Sequence, residues 1–350
     1  MKRRLKREVV MSGKSNLKEQ LYFSLIHKWK YIVVILFSVL RKNKSRRIIN
    51  KAVYIAREKD KDWIFGAKVR RLSKYSSLNA TTFYHNKLKN LPKADAYYFI
   101  YQNYFCRCLR STPSILFKKN VVMFTHPTWS KKYSKTHVVW CLNKADYVIC
   151  LNSEIKKYLI DLGVKPDILK VMHIATSSSF FYSHERGSGG IGFCSTFSDR
   201  KNPDLVLDLV KNMPDRQFYL IGRHWQQYDR FNEISDLPNF KYLEEEPYDS
   251  YPDLYSKIDV FVSPSLIEGG PVPVLEAMMS NCVPVASRTG FCPDLITEGE
   301  NGFLFDVDAD YKEVITLIEK AFLIKTDVRE TVLPYTWENC SKKIDDLFIN

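Results

Sequence analysis

Two glutamates that frame a short glycine-containing stretch could bind a hydroxyl-rich ligand. Glu268 precedes the pair Gly269–Gly270, and Glu276 follows eight positions after Glu268. The surrounding run, VFVSPSLIEGGPVPVLEAMMSNCVPVAS, predicts a buried strand, a turn and a helix that a proline can start. Glycines let a ligand approach the backbone, and the free N–H groups of a helix start attract phosphate. Two carboxylates on such a segment suit a ligand with both hydroxyls and phosphates, and a nucleotide sugar is such a ligand.

Alternating strands and helices must position this segment. From Lys51 onward, short apolar runs alternate with helical patterns, which predicts parallel sheets with crossover helices. A polar run, Ser183–Gly190, divides the alternation and is typical of a linker. The strands predicted before it are Ala52–Ala56, Thr81–Tyr84, Ala96–Tyr101, Val121–Thr125, Tyr147–Leu151 and Lys170–Ile174. Those predicted after it are Ile191–Cys194, Gln217–Ile221, Phe240–Leu243, Val260–Ser263, Val283–Ala286 and Gly302–Phe305. We therefore expect an α/β protein with two doubly wound, Rossmann-like domains facing each other across a cleft, where ligands bind at the carboxyl ends of strands.

The basic charge of the chain is concentrated at its start. Residues 1–50 hold fourteen Lys and Arg against two acidic residues, a net charge of +12 out of +14 for the whole chain. The remaining body is close to neutral, which argues against nucleic acid as a partner. The uninterrupted apolar stretch Tyr31–Leu40 would make a helix of about 15 Å, roughly half the thickness of the hydrocarbon core. Residues 1–44 thus predict a basic amphipathic helical extension that lies on an anionic membrane, with contacts through residues 1–47. A helix packed on the body, or a poorly ordered arm, is the alternative.

The cysteines and aspartates give no sign of a metal site. Eight cysteines are scattered without the C-x-x-C spacing of a zinc knuckle, which predicts buried, reduced thiols of a cytosolic protein. The D-x-D at Asp306–Asp308 precedes a predicted helix, where aspartates serve as caps. We therefore expect no bound metal and no cofactor.

The segment around the two glutamates resembles the E-x7-E motif of the family 4 retaining glycosyltransferases, which have the GT-B fold. The flanking runs LYSKIDVFVSPS and TGFCPDLITEGENGFLF are also similar to that family, and the similarity covers residues 191–323. The resemblance implies that Glu276 holds the ribose hydroxyls and that Glu268 contacts the donor sugar. The backbone of Gly269, Gly270, Pro271 and Val272 would then lie against the sugar and diphosphate.

The resemblance implies further site residues. Lys201 matches the position of a lysine that binds the diphosphate, and Arg200 is the nearby arginine, although Gly192–Phe193 replaces the usual Gly-Arg pair. A solvated basic pair that caps the next helix is the alternative. His126 follows a central strand of the first domain, where the family often places a histidine near the reacting carbon; a structural histidine is the alternative. The loop after the first strand has Gly66 alone, without the family's glycine pair.

The implied activity is transfer of a sugar from a UDP- or GDP-sugar to an acceptor hydroxyl, with retention of configuration and without a metal. With the basic extension, the expected acceptor is a lipid-linked or glycan intermediate of surface polysaccharide such as lipopolysaccharide, at the inner face of the plasma membrane, on the cytoplasmic side. The expected domains are residues 45–182 and 190–334, followed by a terminal helix, 335–350, that crosses back to the first. A sugar-nucleotide epimerase of the same fold and a non-catalytic GT-B-like scaffold or nucleic-acid-binding protein are the alternatives.

Overall fold

Two parallel six-stranded sheets, each flanked by helices, form the body of the chain. The computed structural model describes residues 29, 32–41, 48–62, 64–86, 88, 90–125 and 133–350. All twelve predicted strands are present in these residues, with ends that differ from the prediction by at most three positions. The prediction of an α/β protein with two doubly wound sheets is therefore confirmed.

The first sheet has the strand order β2-β1-β3-β4-β5-β6, and every neighbouring pair is parallel. Its strands are β1 (Lys51–Ala56), β2 (Asn79–Tyr84), β3 (Ala96–Phe99), β4 (Lys119–Phe124), β5 (Tyr147–Cys150) and β6 (Leu169–Val171). The helices that accompany it are α1 (residues 32–40), α2 (Ile64–Lys74), α3 (Gln102–Ser111), α4 (Lys135–Leu142) and α5 (Ser153–Asp161).

The second sheet has the order β12-β11-β10-β7-β8-β9, again entirely parallel. Its strands are β7 (Ile191–Thr196), β8 (Phe218–Arg223), β9 (Phe240–Glu244), β10 (Val260–Ser263), β11 (Val283–Ser287) and β12 (Phe303–Phe305). The helices of this half are α6 (Pro203–Asn212), α7 (Phe231–Ser235), α8 (Tyr251–Tyr255), α9 (Val272–Met279), α10 (Cys292–Leu295) and α11 (Tyr311–Ala321). The strand order reverses between β7 and β10, which is the switch point where such sheets bind ligands.

Burial on both faces explains why the strands read as continuous apolar runs. The four residues of β10 are all buried, as are five of the six residues of β1. Parallel sheets covered by helices on both sides need such runs, because neither face meets water. All eight cysteines are unpaired and seven are buried; the exception is the partly buried Cys194, so the prediction of buried thiols is largely confirmed.

The last helix, α12 (Trp337–Ile349), packs on the first domain after the chain has completed the second. The Asp345 carboxylate accepts hydrogen bonds from the Ser76 hydroxyl at 2.7 Å and from the Ser77 backbone N–H at 2.6 Å. Where the chain returns, Thr176 and Thr336 form a parallel β-bridge. The two passages of chain between the domains therefore lie side by side.

Helix α1 has one face on the first domain and one exposed face. Val34 is buried, the Phe37 ring packs edge-on at 5.0 Å from the Phe117 ring, and Arg41 forms an ion pair with Asp146. In the described part of the chain, no helix has both the length and the apolar character needed to cross a bilayer. The exposed apolar side chains of this segment are Trp29, Ile32, Ile35, Leu36, Val39 and Leu40.

Candidate active site

Two loops meet at the switch point of the second sheet. One follows β7 and carries Arg200, and the other follows β10 and carries Leu266 and Glu268. The backbone N–H of Leu266 donates a hydrogen bond to the Arg200 carbonyl at 2.8 Å. Because β7 and β10 are neighbours in the sheet, residues distant in sequence are brought to the same edge.

Lys201, Arg200 and Glu268 form an ion cluster at this edge. The Lys201 ammonium donates a hydrogen bond to Oε1 of Glu268, although the two residues are 67 positions apart. Arg200 Nη1 donates to the same oxygen at 2.8 Å. The Lys201 and Glu268 side chains are only 14% and 10% exposed, whereas that of Arg200 is 49% exposed. Two positive charges thus lie beside a carboxylate. A diphosphate could bind the positive charges, and the hydroxyls of an attached sugar could donate hydrogen bonds to the carboxylate.

Helix α6 is not capped by the basic pair. Its N-cap is Asn202, which adopts the left-handed conformation and makes no side-chain capping bond. Because the Lys201 and Arg200 side chains both reach Glu268, the alternative of a helix-capping pair does not describe them, although Arg200 is half-exposed.

The segment Gly269–Val272 lies between the ion cluster and α9. An ideal Cβ built on Gly270 would come within 2.8 Å of the Phe291 ring, so this position leaves no room for a side chain. Pro271 is the N-cap of α9, and neither it nor Pro273 has an N–H; Val272 therefore carries the first N–H of the helix. The positive end of the α9 dipole consequently lies at this segment.

Asn152 of the first domain contacts this segment and was not predicted as a site residue. Its amide Nδ2 donates a hydrogen bond to the Gly269 carbonyl at 2.9 Å, while its Oδ1 caps α5 by accepting from the Ile155 N–H. The backbone N–H of Ser153 donates to Asp294 at 2.7 Å. The start of α5 therefore fastens the first domain to the edge of the second. An asparagine before a helix is visible in the sequence as a cap, but its second partner is not.

Glu276 is buried, with 5% of its surface exposed, and is held by tyrosines. The Tyr248 hydroxyl donates to Oε1 at 2.6 Å, and the Tyr255 hydroxyl lies 3.5 Å from Oε2. Burial raises the pKa of Glu276 to about 7, against the opposing effects of the hydrogen bond from Tyr248 and the charge of Arg71. A ribose hydroxyl that binds the Glu276 carboxylate must therefore either displace the Tyr248 hydroxyl or share Oε1 with it.

Tyr248 joins both halves of the protein. Its ring stacks on Phe180 with 5.1 Å between centroids, and the Arg71 guanidinium of α2 lies 5.5 Å above it. Arg71 also lies 5.3 Å from the Trp337 ring of α12. The sequence signal was a cluster of tyrosines at positions 248, 251 and 255, but nothing in it indicated a partner for Glu276.

Two other predicted features have different outcomes. His126 lies outside the described residues, so its role stays a prediction. The aspartates of the D-x-D do not cap the helix that follows: Asp310 is the N-cap of α11, with its carboxylate accepting from the N–H groups of Lys312 and Glu313. Asp306 instead lies 3.3 Å from Nε of Arg288. That expectation was wrong in detail, because the helix begins at Tyr311 and its N-cap position therefore falls on Asp310.

Comparison with known proteins bears on the second domain. Residues 181–331 match the family Glycosyl transferases group 1, a region that contains Lys201, Glu268 and Glu276. The match thus covers the second domain and does not extend to the first. An uncharacterized glycosyltransferase of Methanocaldococcus jannaschii is 25% identical over 209 residues, covering 57% of this chain and 58% of that protein. A glycogen synthase of Mycoplasma mobile is 26% identical over 309 residues, covering 82% of this chain and 63% of the relative. The chain thus spans less than two thirds of the length of either relative.

A solved structure agrees with the fold of the whole chain. The Anabaena protein HepE, solved in complex with UDP-glucose, superposes with a TM-score of 0.68 at 15% identity. The superposition covers 85% of this chain and 98% of the HepE chain. At this identity the likeness shows that both chains have the GT-B fold.

The raised pKa of Glu276 predicts a pH-dependent stability for the protein. The carboxyl titrates at about 7 in the folded state against 4.5 for an ordinary glutamate, so the native state binds the proton more tightly than the unfolded chain. This contribution to stability is complete below pH 4.5 and is lost as the pH rises to about 7. Relative to Glu276→Gln, which cannot ionise, the wild type should lose up to about 3 kcal/mol between pH 5 and pH 8 in urea unfolding. If the unfolding free energies of the two proteins changed equally with pH, the raised pKa of Glu276 would be contradicted.

Proposed function

We propose that the chain transfers a glycosyl group from a UDP- or GDP-sugar to an acceptor hydroxyl with retention of configuration. The observation that carries the proposal is the convergence of Lys201 and Arg200 on Glu268 at the switch point of a group 1 glycosyl transferase domain. Glu268 would bind hydroxyls of the donor sugar, and Glu276 those of the ribose.

In the proposed reaction, the bond between the anomeric carbon and the diphosphate oxygen breaks. The acceptor oxygen forms the new bond on the same face, and its proton passes to the departing diphosphate. The negative charge that develops on the diphosphate would be stabilised by Lys201, Arg200 and the N-terminus of α9. The contacts of Asn152 and Arg71 across the domain interface would hold the cleft closed and restrict the entry of water.

A binding screen tests the donor class first. The chain is heated with UDP, GDP, UDP-glucose, UDP-galactose or GDP-mannose, and its unfolding is followed. A ligand at 100 times its Kd stabilises the folded state by about 2.7 kcal/mol. Stabilisation by nucleotides of one base, with release of that nucleoside diphosphate in slow hydrolysis of its sugar, supports the proposal. NMR of the freshly released sugar reports whether configuration is retained. Binding without any diphosphate release would instead favour the epimerase or the scaffold.

We also propose that the exposed face of α1 docks on an anionic bilayer, which would place the active site beside a lipid-linked or polysaccharide acceptor. Val34 and Phe37 fix the opposite face of this helix to the first domain. The exposed apolar side chains therefore point away from the body; on α1 they are Ile32, Ile35, Leu36, Val39 and Leu40. The fourteen Lys and Arg of residues 1–50 complement an anionic surface.

Acidic substitutions on this helix should release the protein from membranes. Leu36 and Val39 are 56% and 59% exposed, and burying such a side chain contributes about 1.5–3 kcal/mol. The variant Leu36→Glu/Val39→Glu should bind vesicles of phosphatidylcholine and phosphatidylglycerol at least about tenfold more weakly in co-sedimentation. Leu323→Glu, at a residue 72% exposed on the second domain, is the control and should bind like the wild type. Docking by this face would be refuted if Leu36→Glu/Val39→Glu bound the vesicles as well as Leu323→Glu does. It would also be refuted if the protein bound only to vesicles made without phosphatidylglycerol.

A further inference from the structure

A cluster of two thiols and an imidazole lies in the first domain and includes none of the donor-binding residues. Cys106 is on α3, whereas His137 and Cys141 are one helical turn apart on α4. Residues four apart on a helix share one face, so the second and third ligands of the cluster come from a single element. The Sγ atoms and a ring nitrogen all lie within 4.8 Å of one another.

The geometry is close to that of a tetrahedral zinc site. Zn–S and Zn–N bonds of about 2.3 Å and 2.1 Å at a tetrahedral angle place sulfur and nitrogen about 3.6 Å apart. Sγ of Cys141 and Nε2 of His137 are 3.5 Å apart. The remaining separations, at most 4.8 Å, need to shorten by no more than about an ångström, which side-chain rotation can supply.

The surroundings of the cluster also suit a bound metal. Cys106 and Cys141 are fully buried, while His137 is half-buried and leaves a path to solvent. The Tyr133 ring stacks on the His137 ring at 5.2 Å and restrains its plane.

We propose that Cys106, His137 and Cys141 bind one zinc ion through three protein ligands, with the fourth position left to water. The ion would cross-link α3 to α4, the helices that follow the neighbouring strands β3 and β4. The site was not evident from the sequence, because Cys106 and His137 are 31 positions apart and the packing of two helices brings them together. This role is separate from glycosyl transfer, for which no metal is proposed.

Metal titration of the whole chain tests the site. Tag-free protein is reduced with a phosphine, stripped with EDTA, and titrated with Zn²⁺ against a chromophoric chelator. The wild type should take up one equivalent, and Co²⁺ in its place should give the intense visible bands of a tetrahedral thiolate complex. His137→Gln and Cys141→Ala should each weaken zinc binding at least about 100-fold, since even the loss of an outer contact to a ligand costs 10- to 100-fold.

Cys108→Ala is the matched control. Cys108 is buried on the same helix as Cys106 but lies outside the cluster, with its thiol 3.5 Å from the Leu88 carbonyl. The Cys108→Ala variant should bind zinc with the affinity of the wild type. His137→Gln changes a half-buried side chain, so its circular dichroism should match the wild type and a loss of zinc there reports on the ligand. Unaltered zinc affinity in His137→Gln, or no stoichiometric uptake by reduced protein, would overturn the proposal. If the stripped protein forms a Cys106–Cys141 disulfide and takes up no zinc after reduction, the pair is a redox pair instead.

Discussion

Replacing Lys201 by alanine is expected to lower the turnover number of glycosyl transfer by about 100- to 1,000-fold, the typical effect of removing one group that stabilises transition-state charge. The Lys201 side chain is largely buried against Glu268, so its ammonium is held in position before a diphosphate binds. The fall should appear in the rate of nucleoside diphosphate release, with a smaller change in KM.

Lys211→Ala is the matched control for this prediction. Lys211 lies on α6, ten positions later, and its ammonium pairs with Glu233 at 2.5 Å on the surface. Its loss should leave turnover unchanged. Since Lys201→Ala leaves Glu268 with Arg200 as its one remaining cation of the cluster, the double variant Lys201→Ala/Glu268→Gln separates the two effects. A Lys201→Ala enzyme as active as Lys211→Ala would remove Lys201 from the site.

Replacing Glu276 by alanine is expected to weaken UDP or GDP binding by about 10- to 150-fold, because a hydrogen bond to a charged group contributes about 1.5–3 kcal/mol. The effect should grow as the pH rises through about 7, where the Glu276 carboxyl ionises and becomes a stronger acceptor for ribose hydroxyls. Isothermal titration calorimetry at pH 6 and pH 8 measures both.

A nucleotide without ribose hydroxyls identifies the contact. The 2′,3′-dideoxy form of the same diphosphate should bind the wild type and Glu276→Ala with equal affinity, because it makes no hydrogen bond to the carboxylate. Equal weakening of both nucleotides by the substitution would mean that Glu276 acts through the packing of Tyr248 and Tyr255 and not on the ribose.

The fold was predictable because its main signal is local. Strands buried on both faces, such as Val260–Ser263, must be continuous apolar runs, and twelve of them in alternation with helices specify two parallel sheets. Lys201, Arg200 and Glu268 were predicted as site residues from the resemblance to a known family. They lie together in the structure because their loops follow neighbouring parallel strands, whose carboxyl ends share an edge.

Contacts across the domain interface were not predictable in the same way. Asn152 reads as a helix cap and Arg71 as an exposed basic residue of an amphipathic helix. Their partners, Gly269 and Tyr248, depend on how the two domains face each other. Hydrophobic periodicity carries no information on that orientation. The thiols of Cys106 and Cys141 came together for a related reason, through the packing of two helices.

The return of α12 to the first domain means that the order of the chain is not the order of the domains. The two chain segments that connect the domains are joined by the bridge between Thr176 and Thr336. Twisting one domain against the other would strain both segments together, whereas a hinge motion about an axis that runs across the two segments strains neither. Opening of the cleft should therefore follow one axis. Removing residues 335–350 would also remove the hydrogen bonds of Asp345 to Ser76 and Ser77. A truncation after the second domain would therefore destabilise the first domain. The first domain therefore cannot be expressed as one unbroken segment and keep all of its packing, because the second domain lies between its main part and α12.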